Sequence, residues 1–134
     1  MITLTDVANI VYSILAPLGY ETYQKGNIPK GPITAERITI HAKGLTPETI
    51  WKKCFVDVNL ICPDIEDEAN TPRLNEMERE IAPLLERTGE YDGTTYTMNE
   101  PTSDFLENPS FHCHYINLRV LFQIQNTKHG KRTS

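Results

Sequence analysis

The sequence predicts one α/β domain of the α+β type: a mainly antiparallel sheet of about four strands with two helices packed on one face. Two segments repeat apolar residues at helical spacing, and several others alternate apolar and polar residues as half-buried strands do. A chain of 134 residues is the usual size of one domain. We expect the domain to span residues 1–126, followed by a basic, flexible tail over residues 127–134.

The first predicted helix covers Thr5–Leu18. Thr3 with Asp6 reads as a capping box, with Thr5 as the alternative N-cap, and Gly19 follows the last apolar position. The apolar residues form one stripe at three- and four-residue intervals, namely Val7, Ile10, Val11, Ile14, Leu15 and Leu18.

A second helix is predicted to begin at Thr71 and Pro72, because proline is well tolerated in the first helical turn. Gly89 is the expected C-cap, and the Asp92-Gly93 dipeptide then predicts a turn. The apolar stripe of this helix is Leu74, Met77, Ile81, Leu84 and Leu85.

Four segments predict strands: residues 36–43, 52–63, 94–99 and 111–126. Each alternates apolar with polar side chains, which suits a sheet with one buried and one wet face. The segment 20–36, rich in glycine, proline and lysine, predicts an extended arm.

Loops and turns are predicted between these elements. Thr46-Pro47 indicates a short helical turn. Residues 64–68 read as an acidic linker, and residues 100–109 as a polar loop.

His112, Cys113 and His114 are good metal-ligand types in a row. Neighbouring strand residues point to opposite faces, so both histidines share a side that Cys113 opposes. A metal there would need ligands from elsewhere, and Cys54 and Cys62 lie about 26 Å apart along an extended strand. We therefore predict no metal ligands, with the histidines at the mouth of a buried strand.

No catalytic set is predicted. The acidic residues 64–68 are of the type that binds metal in metal-dependent nucleases. That chemistry also needs a lysine two residues after an acidic residue, and no such lysine follows in a strand. No nucleophile motif or phosphate-binding glycine loop is present. We expect no catalytic residues and no cofactor, and we keep a metal-dependent enzyme using His112 and His114 as the alternative from another class.

Composition and charge limit the classes of partner that we expect for this protein. The net charge of -5 does not suit a nucleic-acid binder. No run reaches the ~18 apolar residues of a membrane span, and the N-terminus lacks the basic start of a signal peptide. Three cysteines, an odd number, fit reduced thiols. We expect a chain that stays in the cytoplasm where it is made.

Three stretches resemble the tail-completion, or tail-terminator, proteins of long-tailed bacteriophages and prophages. The first is the amphipathic helix followed by the proline-containing arm "GNIPKGPIT". The second is "FVDVNLICPDIEDEANTPRLNEMEREIAPLLE", a strand, an acidic loop and a helix. The third is "YTMNEPTSDFLENPSFHCHYINLRVLFQIQN", a strand, a polar loop and a last alternating strand. The resemblance covers nearly the whole chain.

The resemblance implies a structural virion protein without cofactor or catalysis. Such subunits form a ring, commonly hexameric, that ends the tail tube and joins it to the head connector. The implied partners are copies of itself, the tube protein and the connector, with no membrane and no specific nucleic acid. The implied location is the host cytoplasm during assembly and then the virion. A related head-completion or adaptor neck protein stays an alternative.

A closed ring uses head-to-tail interfaces, so each subunit needs two different complementary patches. We expect acidic residues between 64 and 80 to face basic residues of a neighbour, and the polar face of the last strand to offer a second surface. The candidate interface residues are Tyr115, Asn117, Arg119, Gln123, Lys25, Lys30, Asp64 and Glu66.

Overall fold

Two helices and seven strands make up the fold in a computed structural model that describes residues 1–47 and 51–125. The helices are α1 (Leu4–Leu15) and α2 (Thr71–Ile81). The strands are β1 (Glu21–Gln24), β2 (Arg37–Pro47), β3 (Trp51–Pro63), β4 (Arg87–Tyr91), β5 (Thr94–Met98), β6 (Thr102–Asn108) and β7 (Cys113–Gln125). None of the helices in the described ranges is long and apolar enough to span a membrane.

The strands form one sheet in the order β1-β2-β3-β7-β5-β4. β3 and β7 pair antiparallel over their whole length and form its centre. The other edge of β7 pairs with β5 near its end and with β6 near its start. Only β1 and β2 run parallel among the described pairs. The predicted α+β class and mainly antiparallel sheet are confirmed, but the number of strands, about four, was too low.

One face of the sheet carries both helices. Alternate residues of β7, from Ile116 to Ile124, are buried on that face, as the alternation predicted. Their register partners on β3, such as Val56 opposite Val120, are buried with them. The core also holds the apolar stripes of the helices: Val7, Ile10, Val11, Leu15, Leu74, Met77 and Ile81.

The capping box that begins α1 is present. The Thr3 hydroxyl accepts the Asp6 N–H at 3.2 Å, and the Asp6 carboxylate accepts the Thr3 N–H at 3.0 Å. Thr3 is therefore the N-cap, and Thr5 is the second residue of the helix. A 3-10 turn, Ala16–Leu18, continues α1 to the left-handed Gly19.

Gly89 is not a helix C-cap, and that prediction was wrong. After α2, a 3-10 turn at Ala82–Leu85 ends the helical segment, and Gly89 lies in β4 opposite Tyr96 of β5. The ring of Tyr96 lies over the glycine, where a Cβ would overlap it. The predicted Asp92-Gly93 turn does join β4 to β5.

Two other local predictions were wrong. Residues 102–108, part of the predicted polar loop, form β6, because β7 has a free edge there that the segment can pair with. Thr46 and Pro47 lie in β2 and not in a helical turn. The predicted tail, residues 127–134, lies outside the described residues.

Arg73 of α2 ties the arm to the helical layer. Its guanidinium donates to both carboxylate oxygens of Glu36 at 2.5 and 2.9 Å, to Glu76 at 3.0 Å, and to the Tyr20 hydroxyl at 3.0 Å. Tyr20 in turn donates to Glu80 at 2.6 Å. The cluster joins residues that are far apart in sequence.

We expect Arg73→Met to lower the free energy of unfolding by about 1–2 kcal/mol, because charge-assisted bonds in a half-exposed site are lost. Urea denaturation of the purified protein measures this. Arg79→Met, at an exposed position of the same helix, is the matched control and should change stability by less than about 0.5 kcal/mol. Equal losses in the two variants would contradict the role given to Arg73.

Candidate subunit interface

The sheet face opposite the helices collects polar side chains of β2, β3, β7 and β6. Tyr115, Asn117, Arg119 and Gln123 of β7 all lie on this face, because they alternate with the buried residues of the core. These four of the predicted interface residues are thus brought onto one surface, which we call the helix-free face.

A row of hydrogen bonds crosses the helix-free face. Asn117 donates to the Asn59 side chain at 2.9 Å, and Asn59 donates to the Thr39 hydroxyl at 3.2 Å. The three residues are neighbours on β7, β3 and β2 by register. The row orders side chains that a plain solvated surface would leave mobile.

Asp57 is the electrostatic centre of this face and is only 5% exposed. Arg119 donates to its carboxylate at 3.0 and 3.5 Å, and the Lys43 ammonium lies 3.0 Å from it. Burial acts to raise the pKa of Asp57, but the hydrogen bonds from Arg119, Lys43 and Asn117 outweigh it, so the pKa is lowered.

We expect Asp57→Asn to destabilise the protein at neutral pH, where the carboxylate is charged and paired. A carboxyl group with a lowered pKa in the folded state stabilises above its unfolded pKa, and this contribution is lost as pH falls through the folded value. The difference in unfolding free energy between wild type and variant should therefore shrink below about pH 4. Thermal melts from pH 7 to pH 3 measure it, and a difference independent of pH would contradict the assignment.

The arm covers one end of the helix-free face. The Ile33 N–H donates to the Phe111 carbonyl at 3.0 Å and fastens the arm beside β7. Ile28 and Ile33 enclose a cleft of about 200 Å³ with Cys113 and Tyr115 of β7. Lys30 is exposed on the arm. The arm thus shields this end of the sheet, and the rest of the face is open with respect to the part of the chain that the structure describes.

The open part of the face exposes apolar groups among its charges. Phe55 is 48% exposed, with the Arg119 guanidinium 5.5 Å from its ring centre. Beside it lies a groove of about 230 Å³ that crosses four strands. The groove is lined by His41, Lys43, Asp57, Asn59, Leu106, Tyr115 and Asn117.

The acidic segment after β3 forms a tight turn at one end of the sheet. Ile65 and Glu68 exchange backbone hydrogen bonds at 2.9 and 3.0 Å. Glu66 and Asp67 between them have φ of 52° and 64°, the left-handed region that non-glycine residues rarely adopt. The side chains of this turn are exposed, and Ile65 is 58% exposed. We call Ile65–Glu68 the acidic turn.

Asp64, next to the acidic turn, does not share its exposure. Its carboxylate is 2.6 Å from Nδ1 of His114, and its side chain is 9% exposed. Glu107 lies 3.6 Å from Nε2 of the same ring, and Phe105 packs against it. The predicted interface residue Asp64 therefore anchors His114, while Glu66 faces solvent.

Of the residues singled out as possible metal ligands, Cys62 and His114 are register partners on β3 and β7, and the others do not complete a site with them. His112 precedes β7 with φ of 55°, so strand alternation does not extend to it. Cys54 is buried in the core, and burial raises the pKa of its thiol to about 11. Over residues 1–47 and 51–125, no group of three or more His, Cys, Asp or Glu side chains is placed to hold a metal ion.

Three important residues of this surface were not singled out from the sequence. Asp57 and Phe55 stood on the predicted solvent-facing side of a strand. Alternation does not show which side chains on that side are buried by residues of neighbouring strands. Lys43 reaches Asp57 only because β2 pairs with β3. A charged residue inside a strongly apolar strand was the one signal that could have drawn attention to Asp57.

Comparisons with known proteins bear on the fold alone. No family model matches the chain, and no curated protein matches it. Five chains among solved structures match. One of them, a protein whose name states no function, superposes with a TM-score of 0.65 at 10% sequence identity, over 92% of this chain and 94% of the other. An identity this low supports a shared fold and nothing about activity.

Proposed function

We propose that this chain is a tail-completion (tail-terminator) subunit of a long-tailed bacteriophage or prophage, which assembles into a ring at the end of the tail tube. Its partners would be further copies of itself, commonly six in total, the tube protein and the head connector. Its work would be assembly and not catalysis. It would act in the host cytoplasm during assembly and then in the virion.

The observation that carries the proposal is the open helix-free face. The long strands bury their other face under two helices, whereas among residues 1–47 and 51–125 the arm alone covers this face, and only at one end. It exposes Phe55 and orders its polar side chains through Asp57 and Asn59. A structured face that mixes apolar and charged groups is suited to binding another protein.

A second, different surface supports a ring in particular. The acidic turn follows Pro63, the last residue of β3, whereas the exposed Phe55 lies eight residues earlier in that strand. A protomer with two distinct patches can associate head to tail, and head-to-tail contacts close into rings when the rotation permits. The element order noted in the sequence points to the same family of ring-forming subunits.

Light scattering after size exclusion, over a range of concentrations, tests self-association. We expect a discrete oligomer at high concentration or on addition of tail tubes, and rings in negative-stain images. A chain that stays monomeric and also fails to cap isolated tail tubes would overturn the proposal. Rings that bind the head connector but not the tube would identify a head-completion neck protein instead.

A further inference from the structure

We propose that the acidic turn of one copy seats in the groove on the helix-free face of the next copy, and that this contact builds the ring. The inference rests on the proposed function, because it assumes that copies of the chain associate. The inference names the surface on each side of the contact between copies, whereas the ring proposal does not say which surfaces meet.

The acidic turn has the shape of an insert. Its two central residues, Glu66 and Asp67, are held in left-handed conformations, so both carboxylates stand at the tip of a tight bend. Ile65 beside them is the most exposed large apolar residue of this end. The turn offers one apolar and two acidic groups together.

The groove offers the matching groups. Its apolar lining includes Leu106 and Tyr115, with Phe55 next to it. Lys43 lines it and is half exposed, and Arg119 beside Phe55 is equally accessible. An exposed apolar side chain and two carboxylates can therefore contact an apolar floor and a basic rim.

Cations outnumber acids around the groove, although the chain as a whole is acidic. Lys25 lies beside β2, because its N–H donates to the Ile40 carbonyl at 3.0 Å. Burial lowers the pKa of His41 in the groove, and the charges of Lys43 and Lys25 lower it further. These two lysines and Arg119 face two acids: Asp57, already buried among its partners, and Asp104, which stands opposite Asn117 and accepts the Phe105 N–H. Complementary charges of this kind set register and speed encounter.

The acidic turn and the basic rim of the groove lie far apart in one copy. Asp57, which pairs with Lys43 and Arg119, lies six residues before Pro63, the last residue of β3, and this separation is about 20 Å along an extended strand. The arm lies over the sheet between them. The contact therefore joins two copies, each giving a turn and receiving one, which is the head-to-tail geometry of a ring.

Two charge-reversal variants test the pairing. The groove variant carries Lys25→Glu with Lys43→Glu, and the turn variant carries Glu66→Lys with Asp67→Lys. Each alone brings like charges together, and we expect self-association at least about tenfold weaker than for wild type. An equimolar mixture makes both kinds of contact complementary. The acidic groove of the groove variant can bind the basic turn of the turn variant, and the basic groove of the turn variant can bind the acidic turn of the groove variant. Association should return, in oligomers that alternate the two variants.

Matched variants separate specific from general charge effects. Arg79→Glu with Arg87→Glu, and Glu86→Lys with Glu90→Lys, make equal charge changes at exposed positions elsewhere. They should associate like wild type and should not rescue each other. Because Lys43→Glu lies near buried Asp57, folding is checked by thermal melting, and Phe55→Ser, which changes no charge, is a second groove variant expected to weaken association.

The outcomes are distinct. If wild type associates and the turn variant associates as strongly, the pairing is wrong while the ring stands. Failure of the mixture to recover association, with both variants folded, also overturns the pairing. If wild type does not associate with itself or on tail tubes, the proposed function fails, and the pairing fails with it.

Discussion

Replacing Phe122 with alanine should lower the free energy of unfolding by about 3–5 kcal/mol, the largest loss expected from a single substitution here. Phe122 is fully buried on β7, and its ring stacks on Tyr96 with centroids 5.0 Å apart and planes 13° apart. Its removal leaves a cavity between the centre of the sheet and the β4–β5 hairpin. Urea denaturation at low protein concentration, where association does not contribute, measures the loss.

The control for this experiment is Leu121→Ala. Leu121 is the preceding residue of the same strand, but its side chain points to the opposite face and is half-buried. Its removal should cost clearly less stability, although it deletes a side chain of similar kind. If the two variants lost equal stability, the assignment of the core to one face of β7 would be contradicted.

Replacing Gly89 with valine should destabilise the protein by about 1–3 kcal/mol, although valine is the better strand residue. Gly89 stands opposite Tyr96, whose ring occupies the place of the missing side chain. A valine there would push this ring off Phe122, so the cost includes the stacking contact. Far-UV and near-UV circular dichroism with thermal melting would report the change.

Thr88→Val is the matched control. It makes the same new side chain one position earlier in β4, at an exposed site, and should leave stability within about 0.5 kcal/mol of wild type. A Gly89→Val variant as stable as wild type would show that Tyr96 can move without cost, contrary to the packing described.

Periodicity identified the helices and strands whose own apolar pattern specifies which face is buried, whatever element packs beside them. The stripe of α1 and the alternation of β7 each carry enough apolar residues to specify orientation locally, and both predictions are confirmed. The same parity placed Tyr115, Asn117 and Arg119 on the face opposite the core. Their role as a subunit surface stays a prediction, which the charge-reversal experiment addresses.

Elements that depend on a partner strand were missed or misplaced. β6 has no buried side chain of its own and exists because one edge of β7 is free to pair with it. Gly89 looks like a helix end in the chain, and its strand becomes apparent only when Tyr96 lies across from it.

Local sequence therefore determined the helices, the central strands and the face that each one buries, since these depend on residues close together in the chain. Tertiary pairing decided the edge strands, the path of the arm and the surroundings of Asp57. The physical reason is the same in each case: a side chain such as Asp57 takes its burial, partners and pKa from residues of other strands. The acidic turn combines the two contributions. Its charge is evident from the sequence, and its left-handed backbone conformation is seen only in the folded structure.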